Sequence, residues 1–267
     1  MKSHIISFLL KRNHTKKKQE RSDKKAFRAF RSTVCSSGWY KTYLKMNGCP
    51  VSEIKSVHDF TEQVPHLSKE SVFFENSFNE LIRCNKNKIK SVMLSSGQSG
   101  NFSIGVITRG ENRKLAYQTD LFLELLYGIK KSEALFINAS AMGVRAFTNH
   151  TCCDTGPRPD IVVKLLKDVS PSYSKTVISA DPNLIKQIVE DSIDAGIDWS
   201  KLKAWFISGG DWFPETLRRY VHSLMGKSAT KPENGFWLAI YGLTELGYPL
   251  FFETAQLASL RSIFCSN

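Results

Sequence analysis

Short apolar runs separated by helical patterns constrain this chain most strongly, because they extend over most of the sequence from residue 89 onward. Residues 89–94 (IKSVML) and 103–108 (SIGVIT) are short β-branched runs on either side of a glycine-rich turn, which predicts a hairpin. We interpret five further apolar runs as strands, at residues 134–137, 161–166, 176–178, 205–208 and 238–241. Helical patterns occur at residues 113–127, 182–196 and 213–225. Strands that alternate with helices predict an α/β protein with mixed sheets flanked by helices.

The charge of the chain is concentrated at its N-terminus. The formal net charge is +12, and residues 1–31 carry eleven Lys and Arg against two carboxylates, so they account for +9 of it. We expect residues 1–31 to form a basic N-terminal arm in which Phe27 and Phe30 mark a short amphipathic helix. Because the rest of the chain is only mildly basic, we interpret the arm as a solvated segment and expect no nucleic-acid partner.

The chain is long enough for a large core, since it has 267 residues of which 42% are hydrophobic. Residues 32–88 predict a helical segment that leads into the main domain, with a helix after Ser56, a break at Pro65 and a second helix capped by Ser68. Residues 89–267 are then expected to form one α/β domain.

Targeting and cysteine signals indicate the cytoplasm. Residues 5–10 are apolar but too short to cross a bilayer, so we expect no signal peptide and no membrane partner. The six cysteines contain no CxxC pair, which favours a reducing compartment. His150, Cys152 and Cys153 are close in sequence and leave a metal site open, but neighbouring side chains on an extended segment point to opposite faces, which favours a structural role.

The turn at residues 95–100 (SSGQSG) is rich in glycine and hydroxyl groups. Its backbone N–H groups are able to converge on an anion and its hydroxyls to reach phosphate oxygens, which is typical of a phosphate-binding loop. A plain flexible hairpin turn explains the same residues.

Two further segments place glycines and polar side chains directly after apolar strands. Residues 206–211 (FISGGD) end in two glycines and a carboxylate, and residues 238–245 (LAIYGLTE) run into a polar turn. Ligands of open α/β sheets bind beyond the carboxyl ends of strands. Tyr241 suits stacking on a base, Thr244 suits a phosphate, and Glu245 suits Mg²⁺, which prefers carboxylate and phosphate oxygens. Taken singly, each segment is also explained as a structural strand end.

In order and spacing, the three segments resemble the nucleotide-binding motifs of the adenylate-forming superfamily, and most closely those of phenylacetate-CoA ligases. That family's motifs read roughly S/T-S-G-S/T-S/T-G, GGE and YGxTE. The matching residues are Ser95, Ser96, Gly97, Ser99 and Gly100, then Gly209 and Gly210, then Tyr241, Gly242, Thr244 and Glu245. Gln98 replaces a hydroxyl and Asp211 replaces the usual Glu. The resemblance spans residues 57–253.

This resemblance implies a domain that binds ATP and Mg²⁺ and activates an aryl or fatty acid as an acyl-adenylate, with coenzyme A as acyl acceptor, in a truncated or degenerate form of such an enzyme. It implies that the phosphates are held by Ser95, Ser96, Gly97, Ser99 and Gly100. It implies that Gly209, Gly210 and Asp211 line the adenine and acyl groups, and that Tyr241 and Gly242 contact the nucleotide. Thr244 and Glu245 are the implied catalytic pair, and Glu245 is the implied metal ligand.

Some parts of such an enzyme are not found in this sequence. In the family the chain continues with a ribose-binding Asp, a hinge and a mobile lid domain that carries a catalytic lysine. We therefore expect an incomplete N-terminal domain of an adenylate-forming enzyme at residues 89–267. Two alternatives remain open: an acyl-protein synthetase, which passes its acyl group to a protein cysteine, and a nucleotide-binding protein without turnover whose basic arm engages an acidic partner.

The acyl substrate, the acceptor and the oligomeric state stay open at this level. An aryl or fatty acid would need an apolar pocket, and candidate lining residues are Phe136, Met142, Phe147, Trp205, Trp212 and Pro249. Ordinary core packing explains these residues equally well.

Overall fold

A computed structural model describes residues 15–95, 100, 102–130, 133–141, 144–227, 236–243 and 248–265. The chain divides into two compact units, an N-terminal unit of Met1–Ile89 with Ser96–Ile104 and a sheet unit of Lys90–Ser95 with Gly105–Asn267. Within the described residues, no helix is both long enough and apolar enough to cross a bilayer.

The N-terminal unit is helical. Its elements are α1 (Thr15–Ser36), α2 (Gly38–Met46), α3 (Val57–Gln63), a π-helical turn (Glu70–Phe74), α4 (Phe78–Leu81) and a 3₁₀ turn (Lys86–Lys88). The predicted sequence of helix, break and second helical element is confirmed. Ser56 caps α3 through a reciprocal pair of hydrogen bonds with Asp59. Hydrogen bonds from the Lys55 N–H and from Ser56 hold the pKa of the Asp59 carboxyl below its ordinary value. At the second element, the Ser71 N–H donates to Ser68 Oγ at 3.1 Å.

Helix α1 contributes directly to the core of the N-terminal unit. Phe30 is 5% exposed and lies edge-on to the ring of Phe60, with ring centroids 5.1 Å apart. Its buried neighbours include Leu44 and Ile54. The Arg31 guanidinium donates to the Ile54 carbonyl at 2.8 Å. The helix therefore continues through residue 31 without a break, and its apolar stripe is packed inside the unit.

Two sheets lie in the sheet unit, apart from Ile89 and Ile104, the first residues of β1 and β2. Strands β1 (Ile89–Leu94) and β2 (Ile104–Thr108) pair with each other, as predicted. The larger sheet has six strands in the order β4-β3-β5-β6-β7-β8, and they are β3 (Ala134–Asn138), β4 (Thr151–Asp154), β5 (Lys175–Ser179), β6 (Ala204–Ser208), β7 (Trp237–Leu243) and β8 (Tyr248–Phe252). The first five strands in this order, β4, β3, β5, β6 and β7, are parallel to one another, and β8 is antiparallel to β7. The predicted mixed α/β architecture is confirmed.

Helices cover both faces of the larger sheet. They are α5 (Arg109–Tyr127), α6 (Pro159–Asp168), α7 (Pro182–Asp194), α8 (Glu215–Leu224) and α9 (Ala255–Phe264). One buried cluster joins Ile178 and Phe206 of the sheet to α6, α7 and α8. A second cluster joins Val177 and Trp205 to α5 and α9. Successive strand residues enter opposite clusters because side chains alternate across a sheet, so the central strands carry apolar residues on both faces.

The interpretation of residues 161–166 as a strand is wrong, because they lie inside helix α6. Pro159 occupies the first turn of the helix, where its missing N–H is not needed. Val162 and Leu166 are four residues apart and both are buried, while Lys164 between them is exposed. Four-residue spacing puts the two apolar side chains on one face of a helix. In so short an apolar run, the periodicity does not distinguish a helix from a strand.

Strands β4 and β8 were not predicted, and both lie at edges of the sheet. Strand β4 has the polar sequence TCCD with three exposed residues, so it lacks the apolar run that marks a central strand. Strand β8 contains Pro249, which removes a backbone donor and is tolerated at an edge.

Candidate functional site

The carboxyl ends of β3, β5, β6 and β7 meet at one edge of the larger sheet, because these strands run parallel. Two of the three predicted motifs fall there. Gly209, Gly210 and Asp211 directly follow β6, and Tyr241 and Gly242 lie at the end of β7. Since β6 and β7 pair with each other, the two motifs are brought onto neighbouring strand ends.

Gly209 is required by its contact with β7. A Cβ atom at this position would stand 2.8 Å from Ile240 Cγ1 and 3.0 Å from the Ile240 carbonyl oxygen. Gly210 has a φ of +92°, a left-handed conformation that side chains other than glycine rarely adopt. Glycine is therefore required at position 209 by the close approach of Ile240 and favoured at position 210 by the backbone conformation. The loop that the two glycines form lies directly against the strand that carries Tyr241.

Trp237 anchors both ends of this glycine loop. Its indole Nε1–H donates to Ser208 Oγ at 2.7 Å, just before Gly209. Its ring stacks on Phe213 with centroids 4.3 Å apart, just after the loop. Trp237 and Phe213 are both almost fully buried. The loop is thus held at its start by a hydrogen bond and at its end by an aromatic stack.

Tyr241 presents its ring to solvent at the end of β7. It is 57% exposed, and its nearest described ring is Phe251, at a centroid distance of 6.2 Å. The pairing of β7 with β8 shifts register between Tyr241 and Gly242. Such an irregularity re-aims side chains at a strand end. Tyr241 therefore keeps a face available for a planar ligand.

Behind the strand ends lies a buried charge network that the sequence reasoning missed. Its members are Glu215 and Arg218 of α8, Glu253 after β8, and Arg261 of α9. Arg218 is fully buried and donates to Glu253 Oε2 at 2.6 Å, and the same oxygen accepts from the Ala239 N–H of β7 at 3.0 Å. No local pattern marks these residues, since they are charges separated by up to 46 positions that meet only in the fold.

Burial dominates the electrostatics of this network. The pKa of Glu215 is raised by desolvation, which exceeds the opposing effect of Arg218 and Arg261. The nitrogen–oxygen distances from Glu215 to those two guanidinium groups are 3.5 and 3.6 Å, long for hydrogen bonds. Two cations and two carboxylates nonetheless balance, and the network ties α8 and α9 to β7.

The remaining predicted residues are placed only in part. Ser95 is half-buried just after β1, and Gly100 has a φ of +81°. The predicted phosphate and catalytic residues Ser96, Gly97, Ser99, Thr244 and Glu245 lie outside the described residues. The part of the site that the structure describes is therefore the pair of loops at β6 and β7.

The predicted apolar pocket does not form among the described residues. Phe136 and Trp205 are buried members of the core beneath α5 and α9, so core packing explains them. Trp212 is 81% exposed, and Phe147 is half-buried. Met142 and the side chain of Pro249 lie outside the described residues.

His150, Cys152 and Cys153 do not assemble a metal site. In the described parts of the chain, no group of three His, Cys, Asp or Glu side chains is arranged to hold an ion. His150 is buried with its Nε2 4.0 Å from Asp120 Oδ1, and burial lowers the pKa of its imidazole. Asp120 accepts hydrogen bonds from Thr148 and Asn149, so it organises the backbone that precedes β4.

A cavity of about 180 Å³ opens at the carboxyl ends of β3 and β4, on the same edge of the sheet. We call it the polar cavity, and the residues that line it are Asn138, Ser140, Val144, Arg145, Asp154, Gly156 and Pro157. None of them belongs to a predicted motif. Asn138 at the end of β3 and Asp154 at the end of β4 meet only because these strands pair.

No family model matches the chain, and no curated protein matches it. Among solved structures, it is similar to 2-hydroxyisobutyryl-CoA ligase in an open conformation with 2-HIB-AMP and CoA. The TM-score is 0.66 at 13% identity, over 84% of this chain and 50% of that one. The same ligase in the thioesterification state with 2-HIB-AMP and CoA gives 0.66 at 14% identity, over 85% and 49%.

A third structure of that ligase, in the postadenylation state with 2-HIB-AMP, gives a TM-score of 0.63 at 14% identity, over 85% of this chain and 49% of that one. This chain therefore spans about half the length of the proteins it matches. At such low identity the similarity establishes the fold and no more. The chain has the fold of 2-hydroxyisobutyryl-CoA ligase over about half of that protein's length.

Proposed function

We propose that this protein binds ATP at the carboxyl edge of its larger sheet and activates a carboxylic acid as an acyl-adenylate, as a carboxylate–CoA ligase-like protein of the phenylacetate-CoA ligase type. Coenzyme A is the proposed acyl acceptor, and the cytoplasm is the proposed location. The fold supports this proposal, since the matched ligase was crystallised with 2-HIB-AMP and CoA.

One observation carries the proposal: the close packing of Gly209 against Ile240. It brings the GGD loop and the YG segment together at neighbouring strand ends, although they are about 30 residues apart in sequence. Each segment alone has a structural explanation. Their juxtaposition places the backbone of the glycine loop against the strand that carries the exposed ring of Tyr241, an arrangement that suits the planar base of a nucleotide.

The described residues have distinct proposed roles. Gly209 and Gly210 let the base approach the backbone, Tyr241 stacks on it, and Asp211 accepts hydrogen bonds from the adenine or borders the acyl group. In the reaction, the acid's carboxylate attacks the α-phosphorus of ATP and pyrophosphate leaves. The protein contributes positioning and charge neutralisation.

The phosphate-binding and catalytic roles are proposed from the sequence resemblance. Ser95, Ser96, Gly97, Ser99 and Gly100 are the proposed phosphate-binding residues, and Thr244 and Glu245 are the proposed catalytic pair. Glu245 is also the proposed ligand of Mg²⁺, whose chemistry would be to neutralise phosphate charge. Because the chain spans about half of the matched ligases, complete acyl transfer to coenzyme A belongs to the proposal as well.

Nucleotide binding is the first experiment. ATP and AMP affinities are measured by calorimetry for the wild-type chain, for Tyr241→Ala and for Tyr117→Ala, whose tyrosine on α5 is similarly exposed at 53%. Loss of a stacking ring is expected to weaken binding roughly tenfold, about 1.4 kcal/mol, in Tyr241→Ala only. Equal affinities in all three proteins would remove Tyr241 from the site.

Acid activation is tested separately by exchange of labelled pyrophosphate into ATP, with and without a panel of carboxylic acids. Acid-dependent exchange supports adenylate formation. ATP binding without any acid-dependent exchange would instead favour a nucleotide-binding protein without turnover.

A further inference from the structure

The walls of the polar cavity are fixed by one buried amide. Asn138 as a whole residue is only 3% exposed. Its side-chain Nδ2 donates to the Val144 carbonyl at 2.6 Å and to Asp154 Oδ1 at 2.7 Å. Its Oδ1 accepts from the Ser140 N–H at 3.3 Å. One side chain thus connects β4 to the segment that follows β3. A buried, fully bonded amide of this kind holds the surrounding groups in place before any ligand arrives.

The groups that remain available in the cavity are polar and of both charges. Within the described residues, no hydrogen bond or ion pair engages the Arg145 guanidinium, and the one described bond to the Asp154 carboxylate uses Oδ1. Ser140 Oγ shares a hydrogen bond with Ser179 Oγ at 3.3 Å. The cavity therefore offers a cation with several donors, an acceptor oxygen and a hydroxyl.

The size of the cavity limits the ligand. Its volume of about 180 Å³ is slightly larger than that of a cavity which accommodates benzene, about 150 Å³. A molecule of about six to eight non-hydrogen atoms matches this volume. The ligand is thus in the size range of a small metabolic acid and well below that of a fatty acid.

An apolar acid finds no comparable space at the neighbouring core. The cavity between α5 and β7, lined by Phe122, Leu126 and Ile240 among others, has a volume of about 20 Å³. This is room for about one water molecule. The rings predicted for an acyl pocket, Phe136 and Trp205, are already packed in the core.

We infer that the polar cavity binds a small carboxylic acid that carries a hydroxyl or an ammonium group. The Arg145 guanidinium pairs with the carboxylate in the two-pronged geometry that suits these groups. Asp154 accepts a hydrogen bond from the hydroxyl or ammonium. An aryl or fatty acid offers nothing to Asp154 and would leave it and Asn138 against an apolar surface.

The position of the cavity connects this ligand to the proposed reaction. Strand β5 separates β3 from β6, so the cavity lies two strand spacings, about 10 Å, from the glycine loop at β6. Both open on the carboxyl edge of the sheet. The statement that the bound acid is also the acid that is activated rests on the proposed function. Binding of the acid in the cavity does not depend on the proposed function.

Binding is tested with four probes on the full chain. Lactate and propionate differ by one hydroxyl, and alanine supplies an ammonium group in its place, while phenylacetate represents the apolar class. Amide chemical shifts are followed during titration, and we expect lactate or alanine to shift residues 138–141, 144–145 and 154–156. Lactate should bind at least tenfold more tightly than propionate, since propionate lacks the hydroxyl that would donate to the second Asp154 oxygen, Oδ2.

Three variants test the role of Arg145. Arg145→Gln should weaken lactate binding at least tenfold, Arg145→Lys should retain part of it, and Arg113→Gln, at an exposed arginine of α5, should leave it unchanged. Equal binding of lactate and propionate, tighter binding of phenylacetate, or an unaltered lactate affinity in Arg145→Gln would each overturn the inference. ATP titration of the same samples separates the two proposals: lactate binding without ATP binding contradicts only the proposed function, and the reverse contradicts only the inferred ligand.

Discussion

Arg218 and Glu253 form a 2.6 Å ion pair inside the sheet unit, between helix α8 and the residue that follows β8. Glu253 also bonds to Ala239 of β7 through both its backbone N–H, at 2.9 Å, and its side chain, at 3.0 Å. The pair therefore fixes β7 to α8 just before the strand reaches Tyr241. Its position links the stability of the unit to the geometry of the candidate site.

Arg218→Ala should reduce the free energy of unfolding by roughly 3–5 kcal/mol, because it leaves Glu215 and Glu253 buried without their principal cation. Denaturant unfolding followed by tryptophan fluorescence measures the change. Lys164→Ala, which breaks the solvent-exposed pair with Asp168, serves as the control and should change stability by less than about 1 kcal/mol. Similar losses in the two variants would contradict the assignment of a structural role to the buried network.

Gly209→Ala should disturb both stability and nucleotide binding, since the added Cβ meets Ile240 at 2.8 and 3.0 Å. We expect a loss of roughly 1–3 kcal/mol in unfolding free energy and a measurable fall in ATP affinity. Gly110→Ala in α5 is the matched control, because nothing lies within 4 Å of its added Cβ. That substitution should be neutral or stabilise by up to about 1 kcal/mol. An unaltered ATP affinity in Gly209→Ala would separate the glycine loop from the nucleotide site.

Phe30→Ala should destabilise the N-terminal unit by roughly 3–5 kcal/mol, the usual range for a large buried aromatic. Phe74→Ala removes a ring that is 66% exposed and should change stability by no more than about 0.5 kcal/mol. Thermal unfolding of the two variants gives the comparison. A small effect of Phe30→Ala would show that α1 does not contribute to the core as the structure indicates.

Lys227 predicts a pH dependence of stability. Burial lowers the pKa of its ammonium group from 10.5 to about 8, although its Nζ donates to the Leu202 carbonyl at 2.5 Å. Between those two pH values the unfolded chain binds more protons than the folded one. The contribution of Lys227 to the free energy of unfolding therefore rises with pH across that window. It is lowest below pH 8. Lys227→Met should therefore raise the unfolding free energy at pH 7 by about 1–3 kcal/mol, after allowance for the lost hydrogen bond.

The difference between Lys227→Met and wild type, measured by urea unfolding at a series of pH values, should shrink as the pH rises above 8. A difference that is independent of pH would show that the lysine is not desolvated in the folded state.

Glu245→Gln should weaken ATP binding more in the presence of Mg²⁺ than in its absence, because an amide is a poor ligand for a hard cation. Thr244→Ala should instead remove one phosphate hydrogen bond, worth about 1.5–3 kcal/mol, and leave the metal dependence intact. Calorimetric titrations with and without Mg²⁺ distinguish the two. Equal losses under both conditions in Glu245→Gln would exclude the metal role of that carboxylate.

The sequence by itself determined the α/β class and the segments that form the central strands. Except for Thr176 and Ser208, the buried residues of β5, β6 and β7 are apolar, because the sheet is covered on both faces, and this signal is local. Local patterns also located the GGD loop and Tyr241 at strand ends. They failed at residues 161–166, where an apolar run of six fits a helix and a strand equally well until Pro159 and the burial of Val162 and Leu166 decide it.

Only the tertiary structure decided which strand ends become neighbours. The pairing of β6 with β7 brings Gly209 against Ile240, and the pairing of β3 with β4 brings Asn138 against Asp154. Arg218 meets Glu253 across 35 residues for the same reason. Strand order follows from how helices and strands share one core, and this depends on the whole chain at once. No local periodicity encodes it, so the polar cavity and the buried charge network became visible only in the fold.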